Sequence, residues 1–370
     1  MIDITSVRSR GGVAERVLRS PVVDLMLGPH GVDRYLELIR PSLTVRDARA
    51  EVVDVRRQTG RSVTLRLRAN SAWDGFRAGQ FVRAGVEIGG VRRTRTYSPA
   101  GSQHAGRREL ELTVTTHPKG LVSRHLRAAL RPGAIVHLGS AQGDFRLPVD
   151  RPRRLVLISG GSGITPVMSM LRTLCEEGHD GEVAFLHYAR TETDWLYEPE
   201  VRALARRHPG VEVGYHATRS EVGGPGGGHL DGAALGDVDG SSWAAVCGPP
   251  SLIEGAREAW AQLGGRAEQL LAETFTPPRL AVSGAAAQGS LRFLSSDRTA
   301  AIATGTLLEQ AEAAGLTPAF GCRMGICHTC TCRKAAGAVR NLLTGEVSEE
   351  EDEDIQLCVS VPAGDVALEL

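Results

Sequence analysis

Cys322, Cys327 and Cys330 stand in the spacing Cys-x4-Cys-x2-Cys, and Cys358 follows after 27 further residues. Three thiols crowded onto one loop with a fourth held apart is the spacing of a plant-type 2Fe-2S centre held by four thiolates. Gly321 and Gly325 suit such a loop, because wrapping a cluster brings backbone N–H groups close to sulfur and asks for unusual φ values. Structural zinc is the alternative, but its ligands usually come as two separated Cys-x2-Cys units. Cys332 is then a surplus thiol, expected outside the ligand set, with substitution as a ligand the alternative. His328 reads as a solvent-facing loop residue, since a lone His cannot supply the pair a Rieske centre needs, and Cys175, inside an apolar helical run, reads as core packing.

A second group of residues suits phosphates. Gly160-Gly161-Ser162-Gly163-Ile164-Thr165-Pro166 follows an apolar strand pattern and precedes Val167, Met168, Met170, Leu171 and Leu174 at helical spacing. Glycines let the backbone approach a pyrophosphate, whose charge is favoured at the N-terminus of the helix that Pro166 helps to start. An ordinary strand-to-helix turn looks the same, and this one departs from Gly-x-Gly-x-x-Gly by ending in Pro. Cys247-Gly248-Pro249-Pro250 supplies another turn after a strand pattern, at the carboxyl edge where open α/β sheets bind ligands. A third group joins Arg95-Thr96-Tyr97-Ser98 to Gly120-Leu121-Val122-Ser123, the latter opening a helix. Together they offer an aromatic ring to stack on a flavin, a hydroxyl near its reactive edge, a guanidinium for phosphate and a helix N-terminus for pyrophosphate. Singly, Tyr97 reads as barrel packing and the run Arg92, Arg93, Arg95 as a solvated face.

The elements around these groups divide the chain of 370 residues into several domains. Residues 1–46 read as two short helices, an N-terminal extension without chemistry. Residues 47–150 alternate at period 2, as in Ser62–Leu67 and Glu109–Val114, which predicts a small antiparallel β-barrel. Residues 151–275 alternate apolar strands with helix-length segments, the pattern of a parallel α/β domain. Residues 276–288 form a linker, 289–370 hold the cysteine cluster, and Gly223–Gly228 reads as a loop. Basic and acidic residues balance at 43 each, so no global positive field recruits nucleic acid. The balance hides a gradient: 25 basic against 14 acidic side chains in 1–150, 12 against 17 in 151–288, and 6 against 12 in 289–370. No apolar run of transmembrane length and no secretory signal is visible, so a reducing cytoplasm is expected, with the membrane reached only through a partner.

In that order, Arg95-x-Tyr97-Ser98, Gly120-x-x-Ser123, Gly161-x-Gly163-x-x-Pro166 and Cys247-Gly248-Pro249 resemble the ferredoxin-NADP reductase superfamily. With the C-terminal cysteines, the chain looks like the single-chain flavin and iron-sulfur reductases that serve oxygenases and desaturases. The resemblance covers about residues 47–370 and implies a six-stranded flavin barrel, a nucleotide domain and a β-grasp ferredoxin domain. It also implies FAD, with FMN as runner-up, and hydride transfer from NADPH, with NADH as alternative, followed by single-electron release through the cluster. Ser98 is then expected near the flavin's reactive nitrogen, with Cys247, Glu273 and Phe275 at the nicotinamide edge. Thr218-Arg219 resembles the Ser-Arg pair that grips a ribose 2′-phosphate, and Arg190 could add a second cation. The layout is most similar to electron-transfer reductases of membrane acyl-CoA desaturases, whose acceptor would dock near the acidic run Glu349–Asp354. Reductases of Rieske-type oxygenases or of alkane or steroid hydroxylases are the alternative, and a redox sensor or binding module is the reading from another class.

Overall fold

The computed structural model describes residues 32–106, 108–118, 120–219, 230, 232–275, 289–321, 323–325 and 328–370. The first helix expected in the extension, the loop 223–228, the linker 276–288 and two expected cluster ligands, Cys322 and Cys327, lie outside the described residues. The chain forms two compact units, Met1–Phe275 and Thr276–Leu370.

Among the described residues, the first unit runs from helix α1 (Asp33–Ile39) into a six-stranded antiparallel sheet. Its strands are β1 (Arg49–Arg57), β2 (Ser62–Ala69), β3 (Val82–Ile88), β4 (Val91–Tyr97), β5 (Glu109–Thr115) and β6 (Ile135–Leu138), in the order β4-β3-β6-β1-β2-β5. Helix α2 (Leu121–Ala128) lies between β5 and β6. Period-2 alternation puts one apolar set inside: Val63, Leu65 and Leu67 pair across β2 and β5 with Val114, Leu112 and Leu110, and all six are buried. Burying each such side chain contributes about 1.5–3 kcal/mol. The sheet curls until Pro99, just past β4, bridges Leu112 of β5, bringing its two edge strands together.

The same unit continues through β7 (Arg154–Gly160), α3 (Ile164–Glu176), β8 (Glu182–Ala189), α4 (Glu198–Arg207), β9 (Val211–Ala217), β10 (Trp243–Cys247), α5 (Pro250–Gln262) and β11 (Leu270–Glu273). The five strands are parallel in the order β11-β10-β7-β8-β9. Both faces are covered: Leu155 and Leu157 pack with Ile164, Val167 and Leu171 of α3, whereas Val156 and Ile158 pack with Ile253, Ala256 and Trp260 of α5.

The second unit has β12 (Ser290–Phe293), β13 (Arg298–Ala301), α6 (Leu307–Ala313), β14 (Thr331–Asn341), β15 (Val347–Ser348), β16 (Glu353–Gln356) and β17 (Ser360–Leu368). Its mixed sheet, β13-β12-β17-β14-β15 with β16 also on β14, packs against Leu307, Leu308 and Ala311 of α6. A capping box between Thr306 and Glu309 starts that helix. Among the described residues no helix is long and apolar enough to cross a membrane.

Helix α1 rests on the barrel through its charges. Asp33 accepts from the amides of Val45 (2.6 Å) and Arg46 (3.1 Å), and Glu37 pairs with the buried guanidinium of Arg49. Leu38 and Ile39 face outward, 83% and 77% exposed.

Candidate active site and cluster-binding unit

The carboxyl edge of the parallel sheet is built from strand ends and glycines. After Gly160, the turn Gly161–Gly163 leads into α3, whose N-terminus has no side-chain cap, and Pro166 lies in its first turn. Gly161 sits at φ 54° with open space where a Cβ would stand. A Cβ on Gly163 would lie 2.2 Å from the carbonyl oxygen of Cys247 and 3.1 Å from its Sγ, so only glycine lets the turn lie against the end of β10. Thr165 donates to the carbonyl of Ser162 (3.3 Å) and tightens the turn. Cys247 pairs in register with Ser159 on one side and Glu273 on the other, and the Gly248 amide donates to Glu273 O (3.2 Å). Pro249 begins the entry to α5, and Phe275 packs against the core between the sheet and α3.

Burial sets the chemistry at this edge. Cys247 is fully buried, which, with the nearby Glu273 carboxyl, keeps its thiol protonated. Burial also pushes the Glu273 carboxyl up to about 8, and its Oε2 has no hydrogen-bond partner. At the ends of β8 and β9, Arg219 N donates to Arg190 O (2.9 Å) and Thr218 N to Ala189 O (2.8 Å). Those bonds bring the two arginines, both exposed, onto neighbouring strand ends.

On the barrel, Arg95, Thr96 and Tyr97 close β4 opposite Ala84, Arg83 and Val82. Burial holds the Tyr97 phenol well above its ordinary range, against the pull of Arg95. Ser98, the next residue, is 2% exposed and its Oγ has no partner, an unspent polar group. Gly120 is the N-cap of α2 and makes no side-chain cap; a Cβ there would lie 2.4 Å from Ser123 Oγ. Val122 and Leu126 anchor α2 on the barrel core while Leu121 stays outside. Arg61, His117, Arg124 and Arg127 line a basic cleft of about 290 Å³ next to it.

These features fit the groups expected there. An orphaned hydroxyl, an orphaned carboxyl oxygen, two helix N-termini without side-chain caps and glycines that keep backbone accessible suit a flavin and a dinucleotide.

Two of the four expected cluster ligands are described. Cys330 and Cys358 are both buried, and Leu357 N donates to Cys330 O (3.2 Å), tying the two segments together. The loop between them and α6 holds residues at positive φ, Arg323 (58°), Gly325 (79°) and His328 (52°), as a chain wrapped around a cluster requires. A Cβ on Gly325 would meet Leu343 Cδ1 at 2.8 Å. His328 is exposed and its Nδ1 pairs with Gln356 Nε2 (2.7 Å). Cys332 sits one turn of the pleat further along β14, with Sγ 3.5 Å from Arg333 O and 3.8 Å from Glu369 O. In the acidic run, Glu353 is drawn in by the buried Lys334 (3.3 Å), whose Nζ also donates to Gly337 O (2.9 Å) and Ser348 O (3.2 Å). The other carboxylates, Glu349, Glu350, Glu351, Asp352 and Asp354, are exposed.

One expectation is met in part, and one set of contacts lay outside the sequence reading. Cys175 is only half-buried: it packs against the core but also lines a cleft of about 450 Å³ between β2, β5, α3 and α4. The contacts across the barrel and the parallel sheet were not expected at all. Arg172, Tyr197 and Glu111 form their centre, and the available signal was a lone charge, Arg172, inside the apolar run of α3.

A curled flavin-type barrel, a parallel nucleotide sheet and a ferredoxin-like unit define an electron-transfer flavoprotein reductase with its own iron-sulfur domain. Comparison with known families agrees in order and extent: an oxidoreductase FAD-binding domain matches residues 51–147, an oxidoreductase NAD-binding domain 157–258, and a 2Fe-2S iron-sulfur cluster binding domain 294–363. An NADPH oxidoreductase of Mycobacterium tuberculosis is 36% identical over 349 residues, 91% of this chain and 88% of that protein. The glycine betaine monooxygenase reductase subunit of Chromohalobacter salexigens is 28% identical over 80% of this chain and 87% of its own length. The ferredoxin reductase component of a 3-ketosteroid-9-alpha-monooxygenase from M. tuberculosis is 30% identical over 69% of this chain and 74% of its own. In fold, phthalate dioxygenase reductase superposes with a TM-score of 0.61 at 20% identity, covering 88% of this chain and 98% of that one. The chain belongs to the ferredoxin-reductase-type oxidoreductases that carry FAD-binding, NAD-binding and C-terminal 2Fe-2S domains, and its cofactors are FAD, NAD(P)H and a 2Fe-2S cluster.

Proposed function

We propose that this chain is the reductase component of an oxygenase system, drawing electrons from NADPH and delivering them singly to a separate oxygen-activating enzyme. The observation that carries the reading is the presence in one chain of a two-electron site, with the unspent polar atoms of Ser98 and Glu273, and a cysteine-lined unit suited to one-electron carriage. FAD supplies the conversion between a hydride and single electrons, which the cluster can accept only one at a time. Arg95, Thr96, Tyr97 and Ser98 hold the ring and phosphate side of the flavin, and Gly120, Leu121, Val122 and Ser123 hold the pyrophosphate. Gly161, Ser162, Gly163, Thr165, Pro166, Gly248 and Pro249 receive the dinucleotide, with Cys247, Glu273 and Phe275 shaping the nicotinamide edge. These groups orient donor and acceptor, so their value is positional. Cys322, Cys327, Cys330 and Cys358 carry the cluster.

NADPH is favoured over NADH by the two arginines brought together at Arg190 and Arg219, since a guanidinium pair suits a phosphate dianion. The similarity to a protein named NADPH oxidoreductase supports the same choice. For the acceptor, relatives named as monooxygenase reductases support the oxygenase class, ahead of the acyl-CoA desaturase to which the sequence layout pointed.

Reconstitution decides the acceptor. With NADPH, the purified chain should support turnover by a Rieske-type or related monooxygenase; turnover only with a membrane acyl-CoA desaturase would overturn the oxygenase assignment. Failure to reduce even an artificial one-electron acceptor would overturn the reductase reading and favour a redox sensor.

A further inference from the structure

Helix α3 touches both halves of the proposed hydride path. Its N-terminus is the Gly161–Pro166 turn, and from Ser169 onward a side-chain row takes hold of the barrel segment that follows Ser98. Ser169, Arg172 and Thr173, three and four residues apart, share one helix face. Ser169 Oγ donates to Gly101 O (2.7 Å), Arg172 Nη1 donates to Ala100 O (2.8 Å), and Thr173 Oγ1 accepts from Gln103 N (3.1 Å). Arg172 does more. Its Nη1 reaches Glu111 of β5 (2.7 Å), its Nε and Nη2 fork onto the carboxylate of Glu200 in α4 (both 2.8 Å), and its guanidinium lies over the ring of Tyr197, 5.1 Å from the centroid. Tyr197, buried and at φ 57°, sends its hydroxyl into the barrel, where Thr113 and Glu111 receive it.

We propose that Arg172 is a positioning residue for hydride transfer: through α3 it locks the Ser98 segment of the barrel to the glycine turn of the nucleotide sheet. The inference rests on the site assignment above. A largely enclosed guanidinium with every arm engaged favours one arrangement of strand, helix and sheet, whereas hydrophobic packing alone permits sliding. Displacement of about 1 Å between reacting groups can cost roughly a hundredfold in rate.

The test compares Arg172→Gln with the milder Glu200→Gln, which removes one arm of the fork at a partly exposed residue. Stopped-flow flavin reduction at saturating NADPH is read beside NADP⁺ affinity, FAD content and alkylation of Cys175, one helical turn along and lining the cleft at the seam. Arg172→Gln should keep its FAD and bind NADP⁺ within about twofold of wild type, while flavin reduction slows on the order of tenfold to a hundredfold. Cys175 should alkylate faster, showing a loosened seam, and Glu200→Gln should fall between. Wild-type flavin reduction in an FAD-loaded Arg172→Gln protein overturns the proposal, and so does slow reduction explained by lost FAD. Ser98→Ala separates the two claims: if it leaves flavin reduction untouched, the site assignment fails, while faster Cys175 alkylation in Arg172→Gln still establishes the lock.

Discussion

Glu273 shows how little of a residue's chemistry its position in sequence reveals. Its place before a linker was readable, but burial in a parallel sheet, which raises the carboxyl to about 8, depends on neighbours far along the chain. A carboxyl raised above its unfolded value binds its proton more tightly when folded, so its contribution to stability is full below the ordinary carboxylate range and drains as pH rises through about 8. Glu273→Gln keeps the shape and removes the titration. The melting temperature of cofactor-free variant minus wild type should therefore increase from about pH 5 to about pH 9; parallel curves would contradict the buried carboxyl. The cysteine ligand set, by contrast, is proposed from spacing alone, which is a local property of the sequence. Cys322→Ser should abolish the iron-sulfur absorbance and leave NADPH-driven flavin reduction intact, since the flavin-bearing unit has its own core. Cys332→Ser should keep the absorbance, as its thiol faces the carbonyls of Arg333 and Glu369. The reverse outcome would redraw the ligand set.

Among elements, strands and glycine turns were legible and the contacts between them were not. Period 2 in Ser62–Leu67 and Glu109–Val114 follows from the pleat itself, so β2 and β5 could be placed from sequence. That Gly163 must be glycine because Cys247 O occupies the place of its Cβ is a fact about two strands brought together by the fold. Gly163→Ala should pry the turn from β10 and weaken NADP⁺ binding by at least about tenfold, an effect of roughly 1.4 kcal/mol, measurable by titration of the FAD-loaded protein. Unchanged affinity would mean the turn has room to move. Helix α1 carries the opposite lesson: charges meant for solvent, Asp33 and Glu37, are what fasten it, and Leu38 and Ile39 are left outside. In the ferredoxin unit, Lys334 fixes the acidic segment to β14. Lys334→Met would strand the carbonyls of Gly337 and Ser348 beside Glu353, costing about 1–3 kcal/mol. Faster amide exchange across residues 347–353 and a lower melting point of the cluster-bearing protein should report it.

At the scale of the molecule, the three-part organisation was legible because the barrel and the parallel sheet have distinct periodicities and the third part carries the cysteine spacing, and the lock between the first two was not, because Arg172 meets partners from β5 and α4 that no local pattern links to it. Charge at this scale predicts kinetics. With its exposed carboxylates near Cys358, the ferredoxin unit should meet a basic acceptor by long-range attraction, which salt screens over a Debye length of about 8 Å at physiological strength. Electron delivery to the acceptor should slow as salt rises and slow again when Glu349, Glu350 and Glu351 become Gln, while NADPH-driven flavin reduction holds steady. Delivery indifferent to both would move docking elsewhere. Lys334 has a practical consequence for finding that acceptor. The sequence contains just two lysines, Lys119 and Lys334, and the second is sealed inside the ferredoxin unit with its amine fully engaged. Amine-directed cross-linkers and acetylating enzymes therefore have no lysine to work on across the acidic face, and a search for the partner by lysine coupling would come back empty from a surface in full use. Carbodiimide activation of the exposed carboxylates, joining them to lysines of the acceptor, is the chemistry matched to this protein.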